Sequence, residues 1–191
     1  MPSPGKKLNI LNYSFRRRFF IKISMMFMPY VGYLFFSDRI NTLIWRMLGV
    51  KVGACSIIRR GTYINDPCNI TIGKRSVVHG KIRSRGGVII GDNVEFVGDI
   101  SLSTQKHNVS SSLFENLYEP VVIENEAWIS LNAVILGGVV VGEGAVIAAG
   151  AIVTKNCAPW GVFGGVPAKC IGARAKIDRL TVDAMRDGGV L

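Results

Sequence analysis

The sequence predicts an all-β fold: a chain wound into a three-sided coil of parallel strands. Three observations predict it. From Ile123 the sequence divides into blocks of six: IENEAW, ISLNAV, ILGGVV, VGEGAV, IAAGAI and VTKNCA. The first residue of each block is Ile or Val, and the fifth is small or aliphatic: Ala127, Ala133, Val139, Ala145, Ala151 and Cys157. The template also fits upstream, at Val52, Ile58 and Ile64 and then, after a slip of two residues, at Ile72, Val78, Ser84, Ile90, Phe96 and Leu102. Across these fifteen blocks the first position is large and apolar in all but Ser84, where a chain that is 49% hydrophobic would give about seven by chance.

A six-residue period suits a short strand plus a corner, and three such sides close one coil. First positions fill the centre. Fifth positions must be small because the walls converge there. Counting gives about five coils, 52–71, 72–89, 90–107, 123–140 and 141–158. Stacked at strand spacing they stand about 24 Å tall. Gly53, Gly73, Gly91 and Gly142 occupy second positions near corners, where positive φ or close backbone approach is expected. The slip near Pro67 reads as a widened corner. Residues 108–122, NVSSSLFENLYEPVV, break the template and are expected as a loop ejected from the coil. Loops of that length in a compact repeat are usually functional or disordered. The organisation expected is an N-terminal arm over 1–49, helical and partly apolar, the coil over 50–158, and a C-terminal extension over 159–191. In that extension PWGVFGGVPAKCIGAR leaves the prism and 175–190 form a short helix.

The net charge of +10 is uneven. Residues 1–60 carry eleven Lys and Arg against Asp38, and residues 61–191 carry twelve of each sign. The neutral coil gives no nucleic-acid footprint. The arm reads FRRRFFIKISMMFMPYVGYLFF over 15–36. A membrane span needs about 20 apolar residues, and this stretch, with Lys22, Pro29 and Gly32 inside it, is borderline. No small-residue cleavage site follows it, as a signal peptide requires. It reads either as a segment lying on an anionic membrane surface or as a helix packed over the end of the coil or into an oligomer contact. The four cysteines, at 55, 68, 157 and 170, form no Cys-x-x-Cys pair and read as small buried residues in a reducing cytoplasm. Two histidines exclude a three-histidine metal site within one chain, and no metal is expected.

The His107 stretch SLSTQKHN, the run PVVIENEAWISLNAVILGGVVVGEGAVIAAGAIVTK and the tail GGVPAK (164–169) resemble the hexapeptide-repeat acyltransferases. The resemblance covers residues 90–172. Within that superfamily the chain resembles the maltose and galactoside acetyltransferase branch, and most closely the O-acetyltransferases of capsule, colanic acid and O-antigen synthesis. RMLGVKVG (46–53), with the arm, resembles the entry to the colanic-acid-type enzymes. The resemblance implies a left-handed parallel β-helix, a homotrimer, and acetyl transfer from acetyl-CoA to a sugar hydroxyl, with no metal. It implies His107 as the catalytic base. It places acetyl-CoA in a groove between two prisms, against Ser130, Leu131, Ala149, Thr154, Lys155 and Lys169. The basic, apolar arm favours a sugar unit on a lipid carrier as acceptor, hence a cytoplasmic protein peripheral on the inner membrane through 15–36. N-acetylation of an amino-sugar nucleotide, or a non-catalytic assembly role, remain the alternatives.

The chemistry fits the residue. An alcohol attacks a thioester only as a base takes its proton, and imidazole, with a reference pKa of about 6.5, suits neutral pH. His107 stands directly before the expected loop. Lys106 occupies a place where the template wants a small apolar residue, and a broken local rule beside a site is what function predicts. Asp92, Glu95, Asp99 or a backbone carbonyl would each orient the ring. His79 reads as a surface residue. Three departures from the family pattern stand out: Trp-Ile-Ser at 128–130 in place of Trp-Ile-Gly, no Arg in the loop, and Gly172 in place of a basic residue, with Arg174 two places on.

Overall fold

A computed structural model describes residues 37–176. The expectations for the arm at 15–36 and for most of a helix at 175–190 lie outside the described residues. Within them the chain forms a parallel β-helix with three faces. The first face stacks Lys51–Val52, Ile70–Ile72, Val88–Ile90, Val121–Ile123 and Val140–Val141. The second stacks Ile57–Ile58, Val77–Val78, Glu95–Phe96, Trp128–Ile129, Val146–Ile147 and Gly161–Gly164. The third stacks Tyr63–Ile64, Gly80–Arg83, Ile100–Ser103, Val134–Leu136 and Ile152–Val153.

The first positions form columns in register. Val52 pairs with Ile72, then Ile90, Ile123 and Val141 follow. On the third face Ile64 pairs with Ile82, then Leu102, Ile135 and Val153 follow. Ile82 therefore holds the inward position that the template gave to Ser84. The side from Val78 to Ile82 is two residues short, and Gly80, at φ +128°, turns it. Ser84 is buried at the next corner, where its Oγ donates to the Asp66 carbonyl. That corner, from third face to first, is wide in the first three coils. It holds a 3₁₀ turn at Pro67–Asn69, Ser84–Gly87 next, and the whole ejected segment after that.

The fifth-position rule extends into the lower coils with hydroxyls in place of methyls. Ser56 Oγ donates to Gly73 O and accepts from Ser76 N, and Ser76 Oγ donates to Gly91 O and accepts from Val94 N. Each buried hydroxyl is thus satisfied by the coil above it. The second-position glycines serve close approach rather than positive φ. A Cβ on Gly53 would come within 2.5 Å of Gly73 backbone, and one on Gly142 within 2.7 Å of Pro159 N.

Both ends are closed. Helix α1 (Asp38–Met47) starts at Ser37, whose Oγ accepts from Arg39 N. It lies along the open edge of Ile57–Ile58: Asn41 Nδ2 donates to Ile58 O, Thr42 Oγ1 accepts from Ile58 N, and Asp38 accepts from Arg60 N. Trp45, 1% exposed, plugs the core beneath the first coil. At the other end the tail extends the prism instead of leaving it. Gly161–Gly164 adds a parallel strand beside Val146–Ile147, and Lys169–Ala173 folds back antiparallel on it. The cysteines differ from the buried class expected of them, since Cys55 and Cys170 are exposed and only Cys157 is buried.

Candidate active site

The segment around His107 is a β-hairpin, not a loop beginning after it. The chain leaves the third coil after Thr104, which is fully buried, and the third coil ends there. Gln105–His107 then pairs antiparallel with Asn116–Tyr118, and Glu119 N returns to Thr104 O at 2.9 Å. His107 therefore stands on the outgoing strand of a projection. Lys106 breaks no inward rule, because the inward place is already filled by Thr104. It pairs with the Glu119 carboxylate across the base of the hairpin. Arg85 braces the return strand by donating to the Tyr118 hydroxyl at 3.0 Å.

The tip holds itself in shape. Asn108 N donates to Glu115 O, Asn108 Nδ2 donates to Glu115 Oε1 at 2.8 Å, and Phe114 N donates to Ser111 O. Hydrogen bonding from Ser111 first, then from its own backbone and Asn108, holds the Glu115 carboxyl below the usual carboxylate value. This frame sets Phe114 at φ +45°. There its carbonyl lies 3.0 Å from His107 Nδ1 and its ring stacks on the imidazole, centroids 4.4 Å apart and planes 6° from parallel. A carbonyl can only accept, so Nδ1 carries the proton and Nε2 keeps its lone pair. Asp92, Glu95 and Asp99 are not the orienting partners; the backbone carbonyl is. His107 itself is exposed. His79 is half-buried, one coil below, at the corner between the second and third faces.

The six residues implied for the donor lie on two different corners. Ser130, Leu131 and Ala149 climb the corner between the second and third faces, where Gly150 N donates to Leu131 O. Lys169 sits at the top of that corner, since Ala168 N donates to Ile152 O. Thr154 and Lys155 lie on the next corner, between the third face and the first, two coils above the hairpin of His107. One face separates the two groups, roughly 13 Å at strand rise. Within one chain Thr154 and Lys155 share the corner from which the His107 hairpin leaves, two coils above it, and Ser130, Leu131, Ala149 and Lys169 lie on the other corner. Lys155 and Lys169 are exposed and make no ion pair among the described residues. Arg174 is occupied: its Nη1 donates to Glu126 O at 2.9 Å and reaches Gly144 O. The residue that sequence reasoning missed is Phe114. An aromatic seven residues after the histidine, among the polar residues of the segment, was the available signal.

Comparison with known proteins agrees with this architecture. The family model for "Bacterial transferase hexapeptide (six repeats)" matches residues 120–155. The galactoside O-acetyltransferase of Escherichia coli K12 is 35% identical over 139 residues, 70% of this chain and 68% of the relative. A hexapeptide-repeat acetyltransferase of Vibrio cholerae superposes with a TM-score of 0.74 at 21% identity, covering 83% of this chain and 93% of the other. That protein's complex with acetyl coenzyme A also aligns, at 0.56. A maltose O-acetyltransferase of Clostridium difficile superposes at 0.72 and 22% identity, covering 84% and 88%. The repeat, the fold and the identity over two thirds of a full-length relative together establish that the chain belongs to the hexapeptide-repeat acetyltransferases, in the branch of the galactoside and maltose O-acetyltransferases.

Proposed function

We propose that the protein moves an acetyl group from acetyl-CoA to a sugar hydroxyl in surface-polysaccharide synthesis, with His107 as general base. The observation that carries this reading is the imidazole held at Nδ1 by the Phe114 carbonyl and across its face by the Phe114 ring. Nε2 takes the acceptor's hydroxyl proton as the oxygen attacks the thioester carbon. The C–S bond then breaks, and the imidazolium returns the proton to the departing thiolate. A backbone N–H would stabilise the tetrahedral oxyanion. No covalent enzyme intermediate is required.

The small pair Ala149–Gly150 and the exposed cations Lys155 and Lys169 suit a narrow pantetheine arm ending in phosphates. Their separation on two corners supports a trimer, in which one chain's His107 corner meets the neighbour's Ser130–Ala149 corner. The hairpin tip supports the same arrangement: Val109 and Leu113 are more than 80% exposed there. An acceptor on a lipid carrier accords with the basic apolar arm, and the absence of Arg from the hairpin accords with an acceptor unlike small galactosides.

His107→Ala should lower turnover about 10²–10⁴-fold, with acetyl-CoA binding by calorimetry unchanged. A turnover equal to the native one removes His107 from the mechanism. The product is expected to lose acetate in mild base, as an ester does. An acetyl group stable to base would assign N-acetylation of an amino sugar instead.

A further inference from the structure

Coils stack in chain order, so position in the sequence is height along the prism. Between Ser37 and Gly86, which spans α1 and the first two coils, the chain carries ten Lys and Arg against Asp38 and Asp66, a net +8. From Gly87 to Lys176 it carries five against eight, a net −3. The described chain, net +5, is therefore polarised along the axis of the prism, basic at the α1 end and acidic at the other. Screening at physiological salt acts over about 8 Å, less than the height of the stack. The acidic end does not cancel the basic one for a surface that touches α1.

Helix α1 lies across this basic pole. Its inner side buries Asn41, Thr42 and Trp45. Its outer side presents Ile40, Leu43 and Met47, which are 43%, 55% and 79% exposed. Their spacing of three and then four residues makes one apolar stripe. Arg39 runs beside the stripe on the same helix, and Lys51, Arg59 and Lys74 are exposed around it. Arg46 is exposed too but donates from Nη2 to Val52 O and Gly53 O. Arg60 and Arg85 are compensated by carboxylates.

We propose that the α1 pole is a docking surface for an anionic phospholipid bilayer. Ile40, Leu43 and Met47 enter the boundary between headgroups and acyl chains, and the surrounding cations meet lipid phosphates. Two facts select this occupant. A second copy placed pole to pole would set +8 against +8. A nucleic acid would satisfy the cations but leaves the apolar stripe in water. The stretch FRRRFFIKISMMFMPYVGYLFF immediately precedes Ser37 in the sequence and repeats this chemistry of arginines beside large apolar residues. The inference does not depend on acetyl transfer. It orients the prism with its axis along the membrane normal.

The test is co-sedimentation of the full chain with vesicles of phosphatidylcholine, with and without phosphatidylglycerol. The native chain should bind only the anionic vesicles, and less as salt rises. Leu43→Glu/Met47→Glu and, separately, Lys51→Glu/Arg59→Glu should each weaken partitioning about tenfold or more, with acetyl transfer to a soluble acceptor unchanged. No binding to anionic vesicles overturns the proposal. Binding by both double variants equal to the native chain also overturns it, since residues 1–36 would then carry attachment alone. A change in oligomeric mass on Leu43→Glu/Met47→Glu, with vesicle binding intact, overturns it in favour of a contact between copies.

Discussion

At the scale of single residues, Phe114 does two jobs that a polar loop would leave undone. Its carbonyl selects the tautomer of His107, and its ring restricts the imidazole to one plane. Phe114→Ala keeps the carbonyl and removes the stack. Aromatic pairing of this kind contributes about 0.5–1.5 kcal/mol, so kcat is expected to fall by about 2- to 13-fold, with KM for acetyl-CoA unmoved. An unchanged kcat would make the stack incidental. Cys157 is the opposite case, a group held inert. Burial first, and then the neighbouring Cys170, push its thiol from 9.0 up to about 11. The raised value favours the folded state below the unfolded pKa, and that contribution is lost as pH climbs from about 9 to about 11. Alkylation of the native protein at pH 8, read by peptide mass, should label exposed Cys55 and Cys170 and spare Cys157. Early labelling of Cys157 would refute its burial.

At the scale of strands and corners, the inward columns were legible because each first position must be apolar to fill a closed centre. The exception at Ser84 marked a real event. What periodicity could not locate was which residue replaced it, because a side shortened by two residues and a corner lengthened by two leave the running count unchanged. The hairpin was illegible for a different reason. Gln105–His107 and Asn116–Tyr118 border no core, so nothing imposes an apolar alternation on them. Gly80 is where the short side depends on one residue. At φ +128° an added Cβ would sit within 2.5 Å of Ile100 N. Gly80→Ala combines a left-handed backbone with a backbone clash. It should cost about 2 kcal/mol or more, read as a lower urea midpoint at constant m. A midpoint within error of native would mean that the coil shifts to accept the methyl.

At the scale of the whole molecule, the axial ends are spoken for: α1 covers one, and the Gly161–Ala173 hairpin covers the other. The trimer proposed above would then bring copies together along the faces and corners. The donor residues were named from the sequence by resemblance, and the template already sets Leu131 and Ala149 one coil apart and Thr154 and Lys155 on the following side. Which of these corners meets a neighbour was not legible, because the repeat treats every corner alike. If each site joins the His107 corner of one chain to the Ser130–Ala149 corner of the next, two differently damaged chains should rescue each other. His107→Ala destroys one half-site, and Ala149→Trp blocks the other. In a ring of three with head-to-tail contacts, random mixing leaves about a quarter of the sites with both halves intact. Co-expression should therefore return about a quarter of native activity, although each variant alone is nearly inactive. Mixed trimers, confirmed by differential tags, with no more activity than the separate variants would place the whole site within one chain.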